Sequence, residues 1–287
     1  LSAVRSVLDD AGDASAAEEE VVLDAAGTLG QAAPAAELLL SDETVVRCLL
    51  ARALAPSSPH PAVRVAALHA AASAAGLERA GDARARAGAL LSPAAEGRLR
   101  RCVYDAAGAT RRPSEALLAL LGQPFAELRV ALYRFISALV LRPWFATEVL
   151  TCPPLLERLT NPSLESGQPG AGWRHATVLA LWSTVRAVMQ GDAFIGDSSQ
   201  EALGGPASSV TGAGAGAGSG GGSGEDTRDQ AAVEGQHRAA WAAIVAAQRG
   251  AAEAAAAKLQ EAVRAGPYGV GPAGADHTTH SVATVPR

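Results

Sequence analysis

Apolar positions along this chain recur three and four residues apart, the spacing that lines one face of an α-helix. Sustained two-residue alternation ending in an Asn-Gly or Asp-Gly turn, the mark of a β-hairpin, is missing. The clearest case is 122–144, "GQPFAELRVALYRFISALVLRPW". There positions 125, 128, 132, 135, 136 and 139 fall on one apolar face, with Glu127 and Arg134 on another. The spacing predicts a helix that buries its aromatic side chains and stops at Pro143, which lacks a backbone donor. Phe125, Tyr133, Phe135 and Trp144 are therefore read as the packed part of a scaffold and not as a ligand cluster.

Four further segments share the theme of an apolar residue, an arginine and an alanine-rich helical run. They are 43–54, 59–76, 96–109 and 171–189, and with 123–140 they place Arg47, Arg64, Arg100, Arg129 and Arg174 in comparable settings. Self-similarity at about 40–47 residues is the signature of a helical solenoid, and the unequal steps leave the first pair as two helices of one repeat. Pro61, Pro124 and the Gly/Pro cluster at 166–172 precede three of these helices, where proline is tolerated. Two roles remain open for the recurring arginine. It either forms an internal ladder to acidic or carbonyl partners in neighbouring repeats, or stands on a concave surface as an interface anchor. Trp144 and Trp173 are expected between repeats.

Residues 1–195 are thus expected to form HEAT/armadillo-like repeats. Segment 196–230 is a Gly/Ala/Ser run too poor in apolar surface to order itself and is expected to be a disordered insertion. Beyond it, 231–266 is a C-terminal helical segment with Gly235 and Gly250 as breaks, capped by Gly266 and stopped by Pro267. Residues 267–287 form an extended or disordered tail. The expected fold is an all-α, HEAT/armadillo-type α-solenoid.

Composition changes this picture in two ways. Of 287 residues 48% are hydrophobic but only 4% aromatic, so the core must rely on alanine and close helix approach. The 24 Lys+Arg and 29 Asp+Glu give a net charge of −5, which argues against nucleic acid or an anionic membrane as partner. No uncharged stretch reaches the length of a transmembrane helix, and no secretory signal is visible; a start at Leu1 suggests a piece of a longer protein. Cys48, Cys102 and Cys152 are odd in number and far apart, which fits free thiols. Lys258 is the sole lysine, read as biased composition.

Candidate chemistry is sparse. "GAGSGG" at 216–221 has the glycine spacing of a dinucleotide loop but no strand before it, and no phosphate-cradling loop ends in a lysine. His277 and His280 lack a third ligand for zinc, His69 and His175 lie inside helical runs, and "EEE" at 18–20 reads as a helix start or solvated face. The nucleophile-elbow pattern is absent. No catalytic residue, cofactor or metal site is assigned.

Two stretches carry a family resemblance. "QPFAELR" followed at characteristic spacing by "RPW" (123–144), and "VRAGPYGVGP" (263–272), resemble the C-terminal part of the 26S proteasome non-ATPase regulatory subunit 5 family. The motif residues are Pro124, Phe125, Leu128, Arg129, Pro143, Trp144, Gly266, Pro267 and Tyr268; the chain departs from the family at Gly269 and Gly271 and in 196–230. The resemblance implies a non-catalytic assembly chaperone of the proteasome 19S regulatory particle base. Such a protein binds the C-terminal domain of an ATPase-ring subunit within a base precursor module, restrains premature association with the 20S core, and acts in the cytoplasm and also the nucleus. A general HEAT-repeat scaffold or transport adaptor is the alternative.

Overall fold

The computed structural model describes residues 2–9, 15–55, 60–80, 90–109, 111–165, 167–190 and 249–269. Among them the chain is α-helical without a strand. The expected insertion at 196–230, Gly235, most of the tail, and with it His277 and His280, lie outside the described residues. The helices are α1 (Ser2–Asp9), α2 (Ala16–Gly30), α3 (Ala33–Ser41), α4 (Glu43–Leu54), α5 (Pro61–Ala74) and α6 (Pro93–Ala107). They continue as α7 (Pro113–Leu121), α8 (Ala126–Leu139), α9 (Pro143–Leu150), α10 (Pro153–Thr160), α11 (Gly170–Gln190) and α12 (Arg249–Ala265).

Local chemistry sets most helix starts. Ser15 and Glu18 form a reciprocal capping box on α2, so the acidic run begins a helix. Asp42 caps α4 and Ser92 caps α6 through backbone N–H groups two or three residues on. Proline occupies the first turn of α3, α5, α6, α7, α9 and α10, where no intrahelical donor is lost.

Pro143 belongs to this set, which corrects its expected role. Helix α8 ends at Leu139, and Pro143 opens α9 while driving Arg142 into the extended conformation of a pre-proline residue. Phe125 is the second difference. It is the N-cap of α8, with extended backbone and 54% exposure, so the helical period does not reach it. Leu128, Leu132, Phe135, Ile136 and Leu139 are buried as expected. Gly250 sits inside the first turn of α12 and does not break it.

Helices α2, α5, α8 and α11 lie side by side in one row, and α12 continues it against α11. Among the described residues, α3 and α4, α6 and α7, and α9 and α10 stand between successive members of the row. These intervening helices pack on one another behind it, α4 on α6, α6 on α7, and α7 on α9 and α10. The row helices begin at Ala16, Pro61, Ala126 and Gly170, which are 45, 65 and 44 positions apart; the long step contains 75–92. Small residues set the closeness of the row. A Cβ added to Gly30 of α2 would lie 2.7 Å from the Ala74 nitrogen of α5, and one on Gly27 3.3 Å from the Ala70 Cα. Farther along, the hydroxyls of Ser137 on α8 and Thr177 on α11 lie 2.7 Å apart inside the core.

Candidate protein-interaction face

The recurring arginines resolve into distinct roles. Arg64, Arg129 and Arg174 stand near the starts of α5, α8 and α11, and each donates back to a carbonyl at or just past the end of an earlier helix. Arg64 reaches Ala55 O, Arg129 reaches Gln123 O at 3.2 Å, and Arg174 reaches Leu159 O at 2.7 Å. The Ala55 and Leu159 carbonyls lack intrahelical partners and sit at the negative end of the helix dipole, so a guanidinium there satisfies both; the Gln123 carbonyl lies in the turn after α7. Arg47 is exposed, while Arg100 lies 5.8 Å from the rings of Tyr104 and Trp144. Arginines outside the repeated theme do the same work: Arg98 donates to Leu40 O, Arg158 to Leu121 O, Arg79 to Gly30 O, and Arg142 to Ala75 O and Ala138 O. The planar fork of arginine can hold two carbonyls at once, which lysine's point charge does less well.

Trp144 sits between layers, donating to Glu96 at 2.9 Å and meeting Phe145 edge-on at 5.5 Å. A second buried network joins α6, α7 and α9: Tyr104, Arg112 and Ser114 all donate to Glu148, at 2.8, 3.0 and 3.2 Å. Burial, then the hydrogen bond to Glu148, pushes the Tyr104 phenol up to about 12. Each acceptor position is used from within, so the cluster ties helices together.

The outward side of the row is different. Arg64, Arg129 and Arg174 set a common register, and five residues further stand His69, Arg134 and Leu179. Counted from the helix starts, Asp24 on α2 matches His69 on α5 and Arg134 on α8, and Leu179 on α11 is one position further on. These four side chains run across α2, α5, α8 and α11 on the row's outward side. Arg134 pairs with Glu78 at 2.8 Å and lies 5.0 Å over the Trp173 ring, which is partly buried against the core where α11 meets α8.

Against this line opens a cleft of about 470 Å³, walled by Val65 and His69 of α5, Glu127 and Val130 of α8, and Leu164 and Pro169 from the approach to α11. Arg129 closes one side and is held there by Glu165 at 2.6 Å. Glu165 also lies over the start of α11, where a Cβ on Gly170 would meet its Oε1 at 2.7 Å. Partial burial lowers the His69 pKa, with Arg134 adding to the shift while Asp24 and Glu78 oppose it. Its Nδ1 is buried without a hydrogen-bond partner. At neutral pH the imidazole is uncharged.

The motif residues do not converge on one site. Pro124, Phe125, Leu128 and Arg129 lie at the start of α8 beside the cleft, whereas Pro143 opens α9 and Trp144 next to it donates to Glu96 of α6. Gly266, Pro267 and Tyr268 form the turn after α12: Gly266 has φ +71°, Arg174 donates to Pro267 O at 2.8 Å, and Tyr268 is half exposed. Glu127, Val65, Leu164 and Glu165 were not singled out by sequence, since only the side-by-side packing of distant helices unites them. The described residues contain no cluster of three or more His, Cys, Asp or Glu suited to a metal, and no helix long and apolar enough to cross a membrane. Comparison of the chain with protein families, with curated proteins and with solved structures finds no match.

Proposed function

We infer that this chain is a non-catalytic, protein-binding helical-repeat scaffold of the HEAT/armadillo type, whose partner docks on the outward side of the α2–α5–α8–α11 row. The observation that carries this reading is the row itself: α2, α5, α8 and α11 lie side by side and present Asp24, His69, Arg134 and Leu179 at near-equivalent positions on one side, beside a cleft. Repeats that contact only their neighbours offer such extended surfaces to folded domains. The motifs "QPFAELR…RPW" and "VRAGPYGVGP" support a more specific form, an assembly chaperone of the proteasome 19S regulatory particle base. Its partner would be the C-terminal domain of an ATPase-ring subunit in a base precursor module, in the cytoplasm and the nucleus, with premature 20S docking restrained.

The test is affinity purification of the tagged chain under conditions that preserve precursor modules, alongside a Val130→Asp variant. Recovery of a proteasomal ATPase subunit that the variant loses supports the specific form. Recovery instead of phosphatase, cargo or membrane-coat proteins, again lost in the variant, selects the general scaffold or transport adaptor. Unaltered recovery with Val130→Asp removes the row from the binding role.

A further inference from the structure

Charge on the outward side of the row is unevenly compensated. Its two arginines near the cleft are each neutralised from within, Arg129 by Glu165 at 2.6 Å and Arg134 by Glu78 at 2.8 Å. The other arginine on the outer part of α11, Arg186, stands at the far end of that helix, away from the cleft. The carboxylates are not matched in the same way. Glu127 lines the cleft and is exposed, and Asp24 stands next along the row beside His69. Glu20 lies one turn before Asp24 on the same side of α2. None of these three carboxylates has a hydrogen-bond or ion-pair partner among the described residues. His69, uncharged at neutral pH, does not offset them. Val65, Val130, Leu164 and Pro169 form the apolar part of the cleft wall, beside the Arg129–Glu165 pair, His69 and Gln168.

Free negative charge beside an apolar slot matches the anatomy of a basic side chain, whose methylene stem packs on hydrocarbon while its head stays at the wet rim. Resting on the protein-binding reading above, we propose that the cleft seats a lysine or arginine side chain of a basic segment of the partner protein, with Glu127 at the charged head, Val65, Val130 and Leu164 along the stem, and Asp24 and Glu20 engaging the next basic residues along the row. An acidic segment fits the same arrangement less well, because among the described residues no uncommitted cation meets it at the cleft. Opposite charge at the rim acts chiefly on encounter rate and partner choice, so the interaction is salt-sensitive.

The experiment uses the full chain and two fluorescein-labelled decapeptides of Leu and Ser, one carrying four lysines and the other four glutamates at the same places. Fluorescence anisotropy should show saturable binding of the lysine peptide and none of the glutamate peptide. Glu127→Gln, an exposed change that leaves the thermal melt in place, should weaken the lysine peptide about fivefold, and Glu127→Gln with Asp24→Asn more than tenfold, on the scale of exposed ion pairs. Raising salt from 0.05 to 0.5 M should narrow the gap between wild type and variants. Equal binding of the two peptides, or lysine-peptide binding indifferent to Glu127→Gln, overturns the proposal. A protein partner lost with Val130→Asp but untouched by Glu127→Gln and by salt would overturn this inference while leaving the row as the docking face; a partner indifferent to Val130→Asp would remove both.

Discussion

Phe135 and Phe125 belong to the same apolar stripe in sequence yet occupy opposite environments. Phe135 is fully buried on α8, which packs between α5 and α11, whereas Phe125 ends the extended approach to α8 and faces solvent. Phe135→Ala should therefore cost about 3–5 kcal/mol in denaturant unfolding, and Phe125→Ala close to nothing. Equal costs would show that Phe125 packs in solution. His69 gives a pH-dependent expectation at the same scale. Burial depresses its pKa in the folded state below the ordinary 6.5. The unfolded chain then binds the proton more readily, so stability is full above about pH 7 and falls as pH drops through 6.5 toward the depressed value. His175, depressed first by burial and then by Arg174, acts in the same direction. Melting temperature should fall between pH 7.5 and 5.5, and His69→Asn should flatten that slope; an unchanged slope would place His69 in water.

At the scale of elements, helix ends rather than helix middles distinguish this chain. The recurring Arg residue, with two roles open in sequence, is for Arg64 and Arg174 a staple on the carbonyl end of an earlier helix and for Arg129 one on the turn just past α7, and Arg129 and Arg174 also reach onward to Glu165 and Pro267 O. Because Arg174 is almost wholly buried and spans two carbonyls, Arg174→Lys should cost about 1–3 kcal/mol, the penalty for leaving a buried acceptor unpaired. A neutral result in chemical unfolding would mean one carbonyl finds another donor. The helix–helix seam is equally specific. Gly30→Ala would drive a methyl against the Ala74 backbone and should destabilise by about 1–3 kcal/mol despite alanine's better helix propensity. The five segments with an arginine theme were legible from periodicity. The short helices α3, α7, α9 and α10 were not singled out, because eight- or nine-residue runs started by proline carry too few turns to show a period.

At the scale of the whole molecule, α12 joins the row only at one edge. It packs on α11 and α10, and Lys258 bridges to Glu157 of α10. In a repeat array coupled only between neighbours, damage at one end stays near that end. Leu259→Ala, at a fully buried position of α12, should speed hydrogen exchange throughout α12 and leave the α2–α5 seam protected. Loss of protection along the entire row would instead mark a single cooperative globule. The same geometry bears on the cleft: Glu127, Val65 and Leu164 are distant in sequence, and a periodic pattern reports which way each faces but not which helices lie beside each other.

Periodicity, proline placement and Ser or Asp caps act within a few residues, so they determine from sequence alone that this chain is helical, where its longer helices begin, and which faces of α8 are buried. Which helix lies beside which is a matter of long-range packing, set by small residues such as Gly27 and Gly30 and by guanidinium groups reaching carbonyls of other helices. Only the tertiary structure therefore decided that α2, α5, α8 and α11 share one face, that Pro143 opens a helix, and that Glu127 stands uncompensated at the rim of a cleft.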